Sequence, residues 1–145
     1  MMMQGETIPK ESNHVRLSDT EKDPFGMPQL ITAVGYDDND YKSMEDFLVQ
    51  GAEMLESVGV KNIYFHRSGQ NPGLDIHEMG GARMGHDEKT SVLNKWNQVH
   101  SCKNVFVTDG ASMVSTGTQN PSLTFMALTA RAANYAMEEM KKGNL

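Results

Sequence analysis

A single cysteine, Cys102, is all the thiol chemistry this chain carries. One thiol cannot close an internal disulfide, and no Cys-x-x-Cys pair exists for zinc or redox work, so Cys102 reads as a plain structural thiol. Long apolar runs are also missing. Nothing approaches the roughly 20 residues that a membrane helix needs, so no membrane segment is expected. Positive charge is in short supply: 13 Lys and Arg stand against 19 Asp and Glu, a formal net charge of −6. A chain this acidic is poorly suited to holding nucleic acid through its phosphates. The opening MMMQGETIPKESNHVRLSD lacks a basic flank followed by an apolar stretch, so it does not read as a signal peptide. The compartment stays open: a soluble protein of the cytoplasm or, in a bacterium, of the periplasm. His14, His66, His86 and His100 show no ligand spacing, and His77 with His86 does not make an H-E-x-x-H helix motif. No metal site is expected.

What is present is a soluble, globular balance. Of 145 residues, 38% are hydrophobic and 22% charged, enough for one domain of ordinary size with a core. The 12 methionines suit adaptable packing. The first two dozen residues are polar and end in a turn bracketed by Pro24 and Pro28. Residues 30–36 (LITAVGY) read as a strand. Asp37 to Asp40 then offer helix caps, and Met44, Phe47, Leu48, Gly51, Met54, Leu55 and Val58 recur at helical spacing. An amphipathic helix over about 38–58 follows, stopped by Gly59. Residues 60–66 (VKNIYFH) read as a second strand and 68–73 as a turn. From 74 to 85 an extended segment runs into a tight glycine loop, and 86–103 are polar and irregular, with Trp96 as a loop anchor. Residues 104–110 (NVFVTDG) have the pattern of a buried strand ending at a turn. Asn120 as N-cap and Pro121 at the first helical position then open the best-defined helix, closed by Lys141, Lys142 and Gly143.

Two segments invite a chemical reading. His77 stands at the edge of the glycine turn. Glycines allow close approach of backbone to a ligand, and an imidazole near neutrality suits a general base. Taken alone, a histidine beside glycines is more often structural. The second segment runs from Asp109 to Thr129. There a strand ends, a loop of small residues follows, and unpaired N–H groups of a helix start favour negative charge. Taken alone, that too is an ordinary capped helix.

The order and spacing of the two segments say more. HEMGGARMG, then NVFVTDGASMV, then GTQNPSLTFMALTARAA, resemble the C-terminal part of the glucose–methanol–choline (GMC) oxidoreductases. The resemblance is close over residues 74–138 and looser over 23–66. It implies an α+β fragment of a two-domain flavoprotein. In that reading 1–27 is a polar N-terminal segment, 28–100 is part of the substrate-domain sheet bearing the catalytic histidine, and 101–145 is the strand, loop and helix that complete the FAD domain. It implies FAD as cofactor. His77 matches the catalytic base and Asn120 the second active-site position. Asp109 and Gly110 match a segment that touches the cofactor. Asn120, Pro121, Ser122 and Thr124 match the helix start near the flavin. Gly80, Gly81, Arg83 and Gly85 match the turn after the histidine, and Arg83 is given no substrate contact.

The implied activity is oxidation of a primary or secondary alcohol, on a sugar or polyol, by hydride transfer to flavin as a base takes the hydroxyl proton. Implied partners are that alcohol or sugar and the missing N-terminal FAD-binding region of the same protein; the flavin's electron acceptor is left open between oxygen, a quinone and an electron-acceptor protein such as a cytochrome. The phosphate-binding G-x-G-x-x-G loop is absent, so the chain is expected to be incomplete and inactive by itself. The rival expectation is a non-catalytic binding or interaction fragment without flavin. A hydrolase using His77 with Asp75 or Asp109 lacks the G-x-S-x-G elbow.

Overall fold

The structure, a computed structural model, describes residues 1–67, 71–73 and 76–145. Helices and short strands mix in an α+β arrangement, and the chain divides into two compact units, residues 1–74 and 75–145.

The first unit begins with a strand that the polar composition of its segment concealed. β1 (His14–Lys22) pairs antiparallel with β2 (Pro28–Ala33), with Val15 opposite Thr32 and Leu17 opposite Leu30. Val15 and Leu17 alternate with His14, Arg16 and Ser18, the period-2 signature of a strand. The register shifts beyond Leu17. The connecting turn is built on Asp23, whose Oδ1 accepts the N–H groups of Phe25 and Met27 at 2.9 and 2.8 Å. Gly26 there sits at φ +83°, which a residue with a Cβ rarely adopts. β2 ends at Ala33, so the strand expected over 30–36 starts two residues early and stops three short.

α1 (Asp38–Ser57) lies where its periodicity put it. Asp37 and Asp40 form a capping box: the Asp37 carboxylate accepts the Asn39 and Asp40 N–H groups, and Asp40 accepts from the Asp37 N–H. Asp40 is only 5% exposed, and a buried carboxylate needs a partner. Lys10 supplies it, with Nζ 3.0 Å from Asp40 Oδ2 and 3.2 Å from Asp37 Oδ2. The Asp40 N–H and then the Lys10 ammonium hold the Asp37 carboxyl below the usual carboxylate range. Desolvation pulls the Lys10 ammonium down, but its bonds to Asp40 and Asp37 outweigh that, and it titrates above its ordinary value. Gly59, at φ +85°, ends the helix region as expected.

The strand expected over 60–66 does not form; these residues are irregular. Asn62 sits at φ +59°, which breaks an extended run, and among the described residues of the first unit no strand pairs with this segment. Of the expected turn at 68–73, residues 72 and 73 do form a turn, with Gly73 at φ +87°, and 68–70 lie outside the described residues.

In the second unit β3 (Gln98–Val99) and β4 (Cys102–Phe106) form a short antiparallel pair, followed by a 3-10 turn (Gly110–Ser112) and α2 (Ser122–Lys141). Trp96 anchors its loop on α2 as expected: its ring stacks on Tyr135 at 4.8 Å, and Phe106 meets the same tyrosine edge-on at 6.4 Å. Leu93, fully buried, and Ala132, 2% exposed, are the only buried hydrophobic residues among those described. α2 ends as expected, with Lys142 as C-cap and Gly143 at φ +74°. Among the described residues no helix is long and apolar enough to cross a membrane.

Candidate active site

The two segments singled out in the sequence are joined directly. After His77 the chain turns through Gly80, whose φ of +87° favours glycine. The N–H groups of Gly80, Ala82 and Met84 then donate to the carbonyls of Gly110, Ala111 and Ser112 at 3.4, 2.9 and 2.9 Å. Alternate residues of the glycine turn thus bond successive residues of the Asp109 turn. Gly85 is hemmed in by Ser91, whose Cβ and Oγ lie 2.6 and 2.7 Å from where a Gly85 Cβ would stand.

Gly110 is the meeting point. A Cβ there would lie 2.7 Å from the carbonyl oxygen of Glu78, 3.2 Å from Met79 Sδ and 3.2 Å from Phe125 Cζ. Its missing side chain leaves room for the backbone next to His77 on one side and the first turn of α2 on the other. Asp109 is committed locally: its Oδ1 accepts the Ala111 N–H at 2.9 Å and its carbonyl accepts the Ser112 hydroxyl at 2.8 Å. Ser112 is fully buried, so this bond satisfies a hydroxyl that would otherwise be costly to bury.

α2 opens one residue later than expected. Pro121, at φ −87° and ψ 2°, occupies the N-cap and Ser122 is the first helical residue; no side chain caps the helix. Asn120 is therefore not the cap. The Pro121 ψ of 2° lies outside the α-helical range, so the helix starts at Ser122 and the N-cap moves from Asn120 to Pro121. The first-turn N–H groups keep their donor capacity. Pro121 is buried, while Asn120, Ser122 and Thr124 are exposed. His77 is half-buried. Among the described residues no hydrogen bond joins His77 to Asn120; what brings their segments together is Gly110, in contact range of both Glu78 and Phe125.

Two residues at the heart of this arrangement escaped the sequence reading. Asn97 is fully buried at φ +62°, a conformation that asparagine tolerates better than most residues. Its Nδ2 donates to the Val107 carbonyl at 3.0 Å, its carbonyl accepts the Val107 N–H at 2.9 Å, and its Oδ1 accepts from Arg131 Nη2 at 3.1 Å. The segment 86–103 read as irregular because Asn97 acts through long-range bonds that leave no period. Arg131 left a fainter signal: it is a lone cation amid Ala130, Ala132 and Ala133.

Comparison with known proteins agrees with the motif order. The chain matches the family described as GMC oxidoreductase over residues 9–129. It is 33% identical to the fructose dehydrogenase large subunit of Gluconobacter japonicus over 144 residues, covering 95% of this chain and 25% of that protein. It is 34% identical to the 2-methyl-1,2-propanediol dehydrogenase of Mycolicibacterium austroafricanum over 138 residues, 93% of this chain and 24% of the relative. It is 34% identical to the paromamine 6'-oxidase of Streptomyces fradiae over 125 residues, 86% and 23% respectively. The chain spans about a quarter of the length of the curated relatives it matches.

Proposed function

The chain belongs to the GMC oxidoreductases, and from that premise we propose that it is the C-terminal catalytic portion of an FAD-dependent enzyme that oxidises CH–OH groups of a sugar, polyol or other alcohol. The observation that carries this reading is the hydrogen-bonded ladder from Gly80, Ala82 and Met84 to Gly110, Ala111 and Ser112, with Gly110 wedged against α2. It gathers His77, Asp109 and the start of α2 into one neighbourhood of the second unit.

The residues present suit a flavin on this chain's side of a cleft. The uncapped first turn of α2 offers N–H donors, Asn120 an exposed amide, and Ser122 and Thr124 exposed hydroxyls. Such a donor set favours carbonyl and anionic acceptors. Asp109 shapes the 3-10 turn with one carboxylate oxygen and leaves the other for the cofactor. Gly110 and buried Pro121 give backbone surface and packing to the same wall. When bound, the flavin supplies the hydride acceptor.

The chain's own part is proton chemistry and orientation. His77 takes the substrate hydroxyl proton as general base. The Asn120 amide donates to the substrate oxygen and holds it while that proton leaves. The first turn of α2 stabilises negative charge that develops beside it. Substrate and the N-terminal FAD-binding region are the partners this role requires, with oxygen, a quinone or an electron-acceptor protein to reoxidise the flavin. Exposure of Leu123, Met126 and Met137 on α2, 78, 68 and 56%, fits a helix that packs against further protein.

The test is His77→Ala in the complete enzyme. Turnover should fall by about 10²–10⁴-fold, the range for a positioned acid–base group, with FAD retained. Turnover within about twofold of wild type, well inside that range, would remove His77 from the mechanism.

A further inference from the structure

We propose that Arg131 is a positioning residue that acts through Asn97 to hold the turn after His77 in register with α2. The inference rests on the catalytic reading of His77 for its functional meaning, though not for its structural content.

Segment 107–110 is fastened to α2 at two points. At Gly110 the contact is steric, with Phe125 filling the space where a side chain would be. At Val107 the link runs through Asn97, which bonds both backbone groups of Val107 and takes the Arg131 guanidinium on its remaining oxygen. Phe125 and Arg131 stand six residues apart on one rigid helix, about 9 Å along its axis at 1.5 Å per residue. Val107 and Gly110 stand three residues apart, Val107 just past the end of β4 and Gly110 at the start of the 3-10 turn. Both contacts therefore tie segment 107–110 to the same helix. The glycine turn is bonded to Gly110, Ala111 and Ser112, so it inherits that register, and His77 with it. Arg131 also reaches the turn itself, with Nη2 3.7 Å from Met84 Sδ.

The chemistry explains why an arginine stands there. Asn97 is fully buried, and among the described residues its Oδ1 accepts from Arg131 alone. A bond from a charged donor to a buried acceptor is stronger than a neutral one. Deleting the guanidinium leaves that oxygen without its donor, and Asn97 is free to rotate away from Val107.

The test uses the full chain with Arg131→Gln and Arg131→Lys, read by amide hydrogen exchange and by the rate at which His77 is modified by diethylpyrocarbonate. Arg131→Gln should speed exchange at Gly80, Ala82, Met84 and Val107 by roughly 10- to 100-fold, the equivalent of one charge-assisted bond. It should also speed modification of His77, with the α1 amides unchanged. Arg131→Lys keeps a cation and a donor and should recover at least half of the effect on a logarithmic scale. Unchanged exchange in the glycine turn, a uniform rise along residues 122–141 without preference for the turn, or no recovery by Lys would each overturn the proposal. If Arg131→Gln unfolds the unit, Arg131→Lys alone decides: a rise confined to the four named amides supports the clamp, and any other pattern sinks it. Turnover in the complete enzyme separates the two layers. Loss in Arg131→Gln that disappears in a His77→Ala background supports positioning. Full kcat in Arg131→Gln where His77→Ala is inactive defeats it. Full activity in His77→Ala defeats the catalytic reading instead and leaves the exchange result to judge the clamp.

Discussion

Gly110→Ala adds one methyl group at a crowded point of the second unit, hemmed in by backbone. The new Cβ would stand 2.7 Å from the Glu78 carbonyl oxygen and 3.2 Å from both Met79 Sδ and Phe125 Cζ. The thioether can swing aside and the ring can tilt, because both end flexible side chains. The carbonyl cannot, because it is backbone and its neighbour is His77. Overpacking of this kind costs about 1–3 kcal/mol, and a thermal or denaturant melt of the purified protein measures it. The larger consequence is geometric. Backing the Glu78 carbonyl out to van der Waals range moves the residue beside His77, and a displacement of about 1 Å at a reacting group costs on the order of 10²-fold in rate. Turnover in the complete enzyme should therefore fall by roughly 10- to 100-fold, more than the stability loss explains at a temperature where the variant stays folded. Gly81→Ala is the control: its Cβ would meet only the Ala111 methyl, at 3.9 Å. If Gly110→Ala melts and turns over like Gly81→Ala, the wedge between Glu78 and Phe125 does not position His77.

Asn120 gives a sharper test now that Pro121 holds the N-cap. Asn120→Ala should cost less than about 0.5 kcal/mol of stability, as an exposed site does, yet lower turnover in the complete enzyme; a variant with full activity would strip Asn120 of its role. The Lys10–Asp37–Asp40 cluster predicts a pH window for the first unit. The folded Asp37 carboxyl is depressed, so its contribution is present above its unfolded pKa of about 3.9 and lost as pH falls through the folded value. The folded Lys10 ammonium is raised, so its contribution is present below about 10.4 and lost as pH rises through the folded value. The melting-temperature difference between wild type and Lys10→Met should be flat between these limits and close at both ends; a difference that persists in acid counts against the assignment. The 145-residue chain by itself should not bind FAD in a flavin-fluorescence titration and should bind hydrophobic dye. Stoichiometric FAD binding by a monomer with a cooperative melt would show that it needs no further protein.

Local rules written in the sequence settled α1, from its Asp37 cap to the Gly59 stop, the course of α2, and the loop anchored by Trp96, because caps, periodicity and glycine positions act over a few residues. The motif order also placed the chain in its family. Local rules misled where a partner strand decides the outcome. β1 formed from a polar segment because β2 lies within reach, whereas 60–66, richer in strand formers, pairs with no strand among the described residues of its unit. They misled again at Pro121, where a single ψ angle moved the helix start and released Asn120 from capping. Only the tertiary structure disclosed that the His77 and Asp109 segments share a ladder, that Gly110 is required by its neighbours more than by its own dihedral, and that Asn97 joins Val107 to Arg131. Each of these links residues from 10 to 34 positions apart. Such pairings depend on where the chain folds back, and a pattern read along the sequence carries no record of it.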